Sequence, residues 1–366
     1  MGLEPLAYNL TNLFFHILNT FLVAALGLWR PIGSRVSIPA AAYFAVAEGH
    51  QEAVIWFAAL PDLNVFTFTL AAFLAWVLWI QDDCNSVWRY AVALGCFLVA
   101  LVSKESAVAL VGLQALSLFV SRVPLRIGLK AVTPFLLISG AYFVLAWAAR
   151  GDHLHFNDGT FSLSAPFVYV ILNSMFRMLW VWGLVAVGVL LALRRREALP
   201  LLGIALAWAA VTLLPYSFLT YMLRVPSRHT YLASVGLALL AGGAMVALYD
   251  RFWPSRRVAV TAAVLFVMVQ NVGYIWTRKH SQFLERARPT EELISVARTT
   301  SGPIVLECFP FPKAVAVAAV RLAAGSDPTR LRFVDTAGCE GFRIRTESNI
   351  ARTGSIEPAA YTASAP

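Results

Sequence analysis

Long apolar segments recur from the N-terminus to Trp276, and they leave few folds open to this chain. The first of them, LAYNLTNLFFHILNTFLVAALGL, carries no charged residue. Hydrophobic residues make up 59% of the 366 residues and charged residues 13%, whereas average soluble domains contain about 45–50% apolar and about 25% charged residues. A helix crosses the hydrocarbon core of a bilayer with about 20 apolar residues. The sequence therefore predicts an all-α polytopic membrane bundle whose first partner is the lipid bilayer.

Two polar interruptions decide how many spans this bundle has. Glu48–Glu52 and Ser103–Glu105 each divide a long apolar stretch, and we interpret each as the tip of a hairpin. Twelve of the Lys and Arg residues near the spans then fall in connections on one side and six on the other, as the positive-inside rule requires. We attribute the net charge of +9 to this excess of cations in the cytoplasmic connections. We therefore predict no nucleic-acid partner. We expect about ten transmembrane helices with both termini outside the cytoplasm, over residues 6–28, 36–47, 62–80, 89–102, 106–121, 131–148, 167–193, 198–219, 230–249 and 258–276.

The composition changes after Trp276, where the long apolar segments end. Helix-like PTEELISVART, strand-like PIVLECF, helix-like KAVAVAAVRLAA and strand-like LRFVD follow in that order. We predict a transmembrane domain over residues 1–280, a small extracytoplasmic α/β domain over 281–345 and a disordered tail over 346–366, which is rich in Ala, Ser, Thr and Pro. Outside the cytoplasm oxidation is permitted. Cys308 and Cys339 can therefore form a disulfide there, whereas we expect Cys84 and Cys96 to stay reduced.

Ionisable residues between the second and third predicted spans mark a candidate site. Glu48, His50, Glu52 and Asp62 lie there, close to strongly apolar sequence. Carboxylates are costly to bury unpaired, so they persist beside a membrane where water, a partner or a substrate meets them. Glu48 or Glu52 could act as a general base. A solvated outer loop is an equally good interpretation.

Two further positions place cations at the predicted outer face. Lys104 and Glu105 are recessed between short helices, and they form either a mutual salt bridge or a site where the Lys104 ammonium meets a lipid phosphate. We favour the phosphate. In RVPSRHTY, Arg224, Arg228 and Tyr231 suit a phosphate or diphosphate because guanidinium groups bind phosphate oxygens bidentately. The alternative is that these side chains only reach toward the headgroups.

Other polar residues are assigned supporting roles. His16 shares one helix face with two asparagines, and interhelical hydrogen bonding is the favoured role for that face. His50 is a supporting residue beside the two candidate bases, and Arg177 is placed at the outer membrane boundary. We predict no metal site, because His153 and His155 have no third ligand in register.

Four stretches of the chain, taken in order, resemble GT-C glycosyltransferases. The similarity is to the branch of dolichyl- or polyprenyl-phosphate-sugar-dependent protein mannosyltransferases and their bacterial relatives, and it runs over roughly residues 2–240. Ser-Lys-Glu in the third stretch and Arg-x-x-Tyr in the fourth are specific in combination. The stretches are GLEPLAYNLTNLFFHILNTFLVAAL, AAYFAVAEGHQEAVIWFAALPDLNVFTF, LGCFLVALVSKESAVAL and LLPYSFLTYMLRVPSRHTYLASVGLALL.

The resemblance implies a GT-C-like fold and transfer of a sugar from a polyprenyl-phosphate donor to an extracytoplasmic glycan or protein acceptor. It implies an inner (plasma) membrane location in the cell envelope and no cofactor besides the donor substrate. The family's usual acidic base lies in a first outer loop that would precede residue 1. We therefore expect that base to be absent and the chain to be shortened or inactive, with Glu48 and Glu52 as fallback candidates. The alternatives are an O-antigen ligase-like or polymerase-like enzyme, and a non-catalytic membrane protein or transporter.

Overall fold

The computed structural model describes residues 5–149, 151, 162, 164–219, 225–334, 341–346 and 352–354. The chain divides into two compact units, Leu6–Val272 and Gly273–Pro366 with Met1–Pro5. The α-helices are α1 Pro5–Ala25, α2 Ser34–Val46, α3 Gln51–Ile55, α4 Leu60–Gln81, α5 Val87–Ser103, α6 Ala109–Val120, α7 Leu125–Ala148, α8 Phe167–Leu179, α9 Trp182–Leu213, α10 Ser234–Tyr274, α11 His280–Thr299 and α12 Lys313–Ala318.

Six helical segments in the described ranges are long and apolar enough to cross a membrane, which supports the prediction of a multi-pass protein. A bent pair of helices, α8 with the first part of α9, would make a seventh. Ten spans are not confirmed, because three predicted spans are helices of only 13, 17 and 12 residues (α2, α5 and α6). The six segments are Pro5–Leu28, Phe57–Gln81, Leu125–Ala148, Ala198–Phe218, Ser234–Trp253 and Ser255–Thr299.

The core of the first unit forms around α4. This helix is apolar on every side, as expected of a helix surrounded by others, and 14 of its 22 residues are buried. Large aromatic side chains fill the space around it, with Phe73 making edge-on contacts to Trp29 and Trp208. Two predicted cytoplasmic connections coincide with kinks in long helices, at Arg194 in α9 and at Arg256 in α10.

Short 3-10 segments break the helices of the first unit near one another. The segment Glu105–Val108 follows α5, Leu214–Phe218 follows α9, and Ser227–Thr230 precedes α10. Between α5 and the first of these, Lys104 has an extended backbone, with φ −164° and ψ 142°. The predicted interruption at Ser103–Glu105 is therefore a break in the helix, and it exposes side chains that a continuous helix would direct along its face.

The second unit is a small α/β structure. Its strands are β1 Ile304–Cys308, β2 Leu331–Phe333, β3 Phe342–Thr346 and β4 Arg352–Gly354, in the sheet order β2-β1-β3-β4. β1 pairs parallel with β2 and antiparallel with β3. The predicted sequence of helix, strand, helix and strand is confirmed. A short edge strand, β4, pairs with β3 within the segment predicted to be a disordered tail.

The cysteines differ between the two units. Cys308 in β1 is disulfide-bonded, whereas Cys84 and Cys96 are free thiols, as predicted. The predicted partner, Cys339, lies outside the described residues, so the Cys308–Cys339 pairing stays a prediction.

Glycines allow α10 to approach two other helices at the backbone. A Cβ atom at Gly242 would lie 2.5 Å from the carbonyl oxygen of Val36 in α2. A Cβ atom at Gly236 would lie 2.3 Å from the carbonyl oxygen of Ala205 in α9. Small residues at helix interfaces allow the backbones of membrane helices to approach this closely.

We expect Gly242→Ala to lower the thermal unfolding midpoint of the purified protein in detergent. Overpacking of this kind typically costs about 1–3 kcal/mol, more than the roughly 1 kcal/mol that alanine gains over glycine in a helix. Gly203→Ala in α9 is the matched control, since a Cβ atom there meets nothing within 4 Å. Equal midpoints for the two variants would contradict the close approach of α10 and α2.

Candidate functional site

A cavity of about 870 Å³ lies in the first unit, where the three 3-10 segments approach α4 and α7. Most of its lining is apolar, with a few polar groups, as in typical small-molecule sites. Its charged or titratable lining residues, within the described ranges, are Asp62, Lys104, Glu105, Tyr142, Tyr216, Arg228 and His229. The cavity therefore contains Lys104 and Arg228, which are far apart in the sequence.

Lys104 forms an ion pair with Asp62, in the first turn of α4. The Lys104 Nζ lies 2.5 Å from Asp62 Oδ1, and the side chains are 14% and 5% exposed. The alternative of a mutual Lys104–Glu105 salt bridge is wrong. Asp62 is also buried and not part of a solvated loop.

Tyr216 connects this ion pair to the rest of the cavity. Its hydroxyl lies 2.8 Å from Ser106 Oγ and 3.4 Å from Asp62 Oδ1. The Lys104 ammonium lies 5.2 Å from the centroid of the Tyr216 ring, a cation–π distance. The His229 ring stacks on the same ring at 4.4 Å. Sequence reasoning missed Tyr216 as a site residue, although it lies within one of the stretches that carry the family resemblance.

A second ion pair holds Arg228. Its Nη1 donates to Glu52 Oε1 at 3.2 Å and its backbone N–H donates to Glu52 Oε2 at 3.3 Å. The hydroxyl of Ser227 also donates to Glu52 Oε2. The guanidinium lies 4.7 Å from the centroid of the Trp56 ring, which also lines the cavity. Glu52 therefore fixes the position of Arg228.

Three of the predicted site residues form a buried polar cluster outside the cavity lining. His16 Nδ1 lies 2.7 Å from the Tyr231 hydroxyl, and His50 Nε2 lies 2.7 Å from Ser234 Oγ. Burial and the neighbouring His16 lower the pKa of His50 well below its usual value, so its imidazole is neutral near pH 7. These contacts join α1 to the segments around α10. They agree with interhelical hydrogen bonding for His16, and they place His50 in the interior and not in a solvated loop.

The remaining predicted residues are dispersed. The backbone N–H of Glu48 donates to Asn271 Oδ1 at 3.2 Å. Arg177 is exposed on α8, and neither residue belongs to the described cavity lining. Arg224 lies outside the described residues, as do His153 and His155. Within the described ranges, no group of three or more His, Cys, Asp or Glu side chains could hold a metal ion.

Comparison with known proteins gives a partial match. The chain is 32% identical over 114 residues to protein O-mannosyl-transferase TMTC3 of Homo sapiens. That match covers 30% of this chain and 12% of the length of the human protein. No family model matches the chain, and no solved structure matches it. A distant relationship to an O-mannosyl-transferase supports a glycosyltransferase-like protein.

We expect Asp62 and Lys104 to be strongly coupled in stability. Removing one partner of a buried ion pair leaves an uncompensated charge and costs about 3–5 kcal/mol. Asp62→Asn and Lys104→Met should each lower the thermal unfolding midpoint, and the double variant should lose much less than the sum of the two. Asp82→Asn is the control, because Asp82 pairs with Arg89 at the surface with side chains 50% and 42% exposed and such pairs contribute little. Additive losses from the two single changes would contradict the coupling.

Proposed function

We propose that this protein is a GT-C-type membrane glycosyltransferase that transfers a sugar from a polyprenyl-phosphate donor to a hydroxyl group outside the cytoplasm. The observation that carries the proposal is an apolar cavity whose lining includes two fixed cations, Lys104 and Arg228. The partial match to an O-mannosyl-transferase supports sugar transfer and makes mannose the first sugar to test.

The two cations are suited to the donor phosphate. Ammonium and guanidinium groups make short, charge-assisted hydrogen bonds to phosphate oxygens, and such bonds are stronger in a water-poor cavity than in bulk water. Asp62 and Glu52 hold Lys104 and Arg228 before the donor arrives, so little reorganisation is needed when it binds. We propose Arg224 as a third cation at this site. His16, His50 and Tyr231 then support the site from the buried cluster.

The apolar part of the cavity is suited to the prenyl chain. Phe143, Val144 and Trp147 from α7 line one side, and Leu214 and Leu219 line another. Phe143 and Trp147 are also exposed large hydrophobic residues, which on a membrane helix is a lipid-facing position. A lipid-linked donor can therefore reach the cavity from the bilayer.

The reaction requires charge stabilisation on the donor side of the sugar. The acceptor oxygen attacks the anomeric carbon, the bond from that carbon to the phosphate oxygen breaks, and its electron pair leaves with the phosphate. Lys104 and Arg228 stabilise the developing negative charge. A carboxylate must take the acceptor proton. Glu52 already accepts three hydrogen bonds from Ser227 and Arg228, so it is better suited to holding Arg228 than to this step.

Arg228→Ala should weaken binding of polyprenyl-phosphate mannose by about 10- to 100-fold, since a hydrogen bond to a charged group contributes about 1.5–3 kcal/mol. Arg228→Lys should recover only part of that loss, because the planar fork is missing. Quenching of Trp56 and Trp147, which line the cavity, reports binding in detergent. Arg126→Ala, an exposed cation outside the cavity lining, should bind as the wild type does. Unchanged affinity in Arg228→Ala would argue against a phosphate site here.

We also propose that the protein lies in the plasma membrane with its second unit outside the cytoplasm. The oxidised Cys308 supports this orientation, because disulfides persist in oxidising compartments, and the basic connections favour it. Alkaline phosphatase fused after Pro366 should be active and green fluorescent protein at the same position should be dark, with the reverse pattern for fusions at Arg126. Fluorescence from the Pro366 fusion would overturn the orientation.

A further inference from the structure

We infer that Glu105 is the general base that takes the proton from the acceptor hydroxyl. This inference rests on the proposed function and names the residue that the reaction still needs. A base for this step must be a carboxylate that reaches the bound substrates. Within the described ranges, the cavity lining contains two carboxylates, Asp62 and Glu105.

Asp62 already pairs with Lys104, and in the proposed reaction it would lie on the leaving-group side of the sugar. Its Oδ1 lies 2.5 Å from Lys104 Nζ and 3.4 Å from the Tyr216 hydroxyl. A phosphate bound to Lys104 would share that ammonium with Asp62, so Asp62 would stand beside the leaving group. In an inverting reaction the acceptor attacks from the opposite face of the ring, and the base must lie there. The geometry therefore makes Asp62 a positioning residue for Lys104.

Glu105 has the position and the free oxygens that a base requires. It lines the cavity and is half-buried. In the described part of the chain it makes no ion pair and accepts no hydrogen bond, so its oxygens are available to a substrate. The extended backbone at Lys104 (φ −164°, ψ 142°) interrupts the helix immediately before Glu105. One break in the helix thus brings a cation and a carboxylate into the lining of the same cavity.

The proposed step balances without a cofactor. The acceptor O–H bond breaks and its proton moves to the Glu105 carboxylate, while the oxygen forms a bond to the anomeric carbon. The bond from that carbon to the donor phosphate breaks, and the phosphate leaves with the electron pair as polyprenyl phosphate. Protonated Glu105 then returns the proton to water.

The test uses the full-length protein in nanodiscs, with polyprenyl-phosphate mannose as donor and a Ser/Thr peptide as acceptor. Glu105→Gln should keep donor affinity within about threefold of the wild type or better, because it removes a negative charge from the cavity. It should lose about 10²- to 10⁴-fold in the rate of mannose transfer to the peptide, the usual contribution of general base catalysis. Glu105→Asp should recover part of the rate. Glu285→Gln, an exposed carboxylate of the second unit, should transfer as the wild type does.

Mannose transfer to azide distinguishes a general base from a residue that only maintains the structure of the site. This anion is a nucleophile that carries no proton at neutral pH, so its attack on the donor needs no base. Glu105→Gln should therefore transfer mannose to azide at a rate close to that of the wild type. Loss of transfer to both azide and peptide in a variant that still binds donor would overturn the role of Glu105, as would wild-type transfer to the peptide. A wild-type protein that binds no donor would overturn the proposed function, and the role of Glu105 with it.

Discussion

The ion pair between Lys104 and Asp62 is the interaction on which the cavity depends. Two charges lie in a strongly apolar bundle, where either one alone would be costly. Their attraction ties the end of α5 to the start of α4 and holds the break in the helix at Lys104. The residues at that break, Lys104 and Glu105, line the cavity. Without the pair, keeping the Lys104 charge in this apolar bundle would carry an uncompensated desolvation cost.

A second ion pair, between Glu52 and Arg228, repeats this arrangement. Glu52 holds the Arg228 side chain and the backbone N–H that precedes α10, and Trp56 covers the guanidinium. The stack of His229 on Tyr216 lies between the two pairs. Carboxylates and aromatic rings therefore hold both cations in place. The proposed phosphate chemistry uses that fixed charge, since a preorganised site spends little free energy on reorganisation.

The sequence predicted the membrane class and the helix–strand order of the second unit, because apolar runs and strand-like runs are local signals. It did not predict the partner of Lys104, because Asp62 lies 42 residues away and only packing brings it close. The extended backbone at Lys104 has no local signal either. The count of ten spans is not confirmed for a related reason. The short helices α5 and α6 are as apolar as the longer ones, and their lengths depend on breaks that the sequence does not signal.

The central claim is that this cavity binds a polyprenyl phosphate, and photocrosslinking tests it most directly. A polyprenyl phosphate with a diazirine near its phosphate would be irradiated with the wild-type protein in nanodiscs, and the labelled peptides would be mapped by mass spectrometry. Our account predicts labels in residues 142–147 and 214–219, which line the cavity, and their loss when unlabelled polyprenyl phosphate is added in excess. Labels confined to the exposed face of α1, unaffected by the competitor, would contradict it.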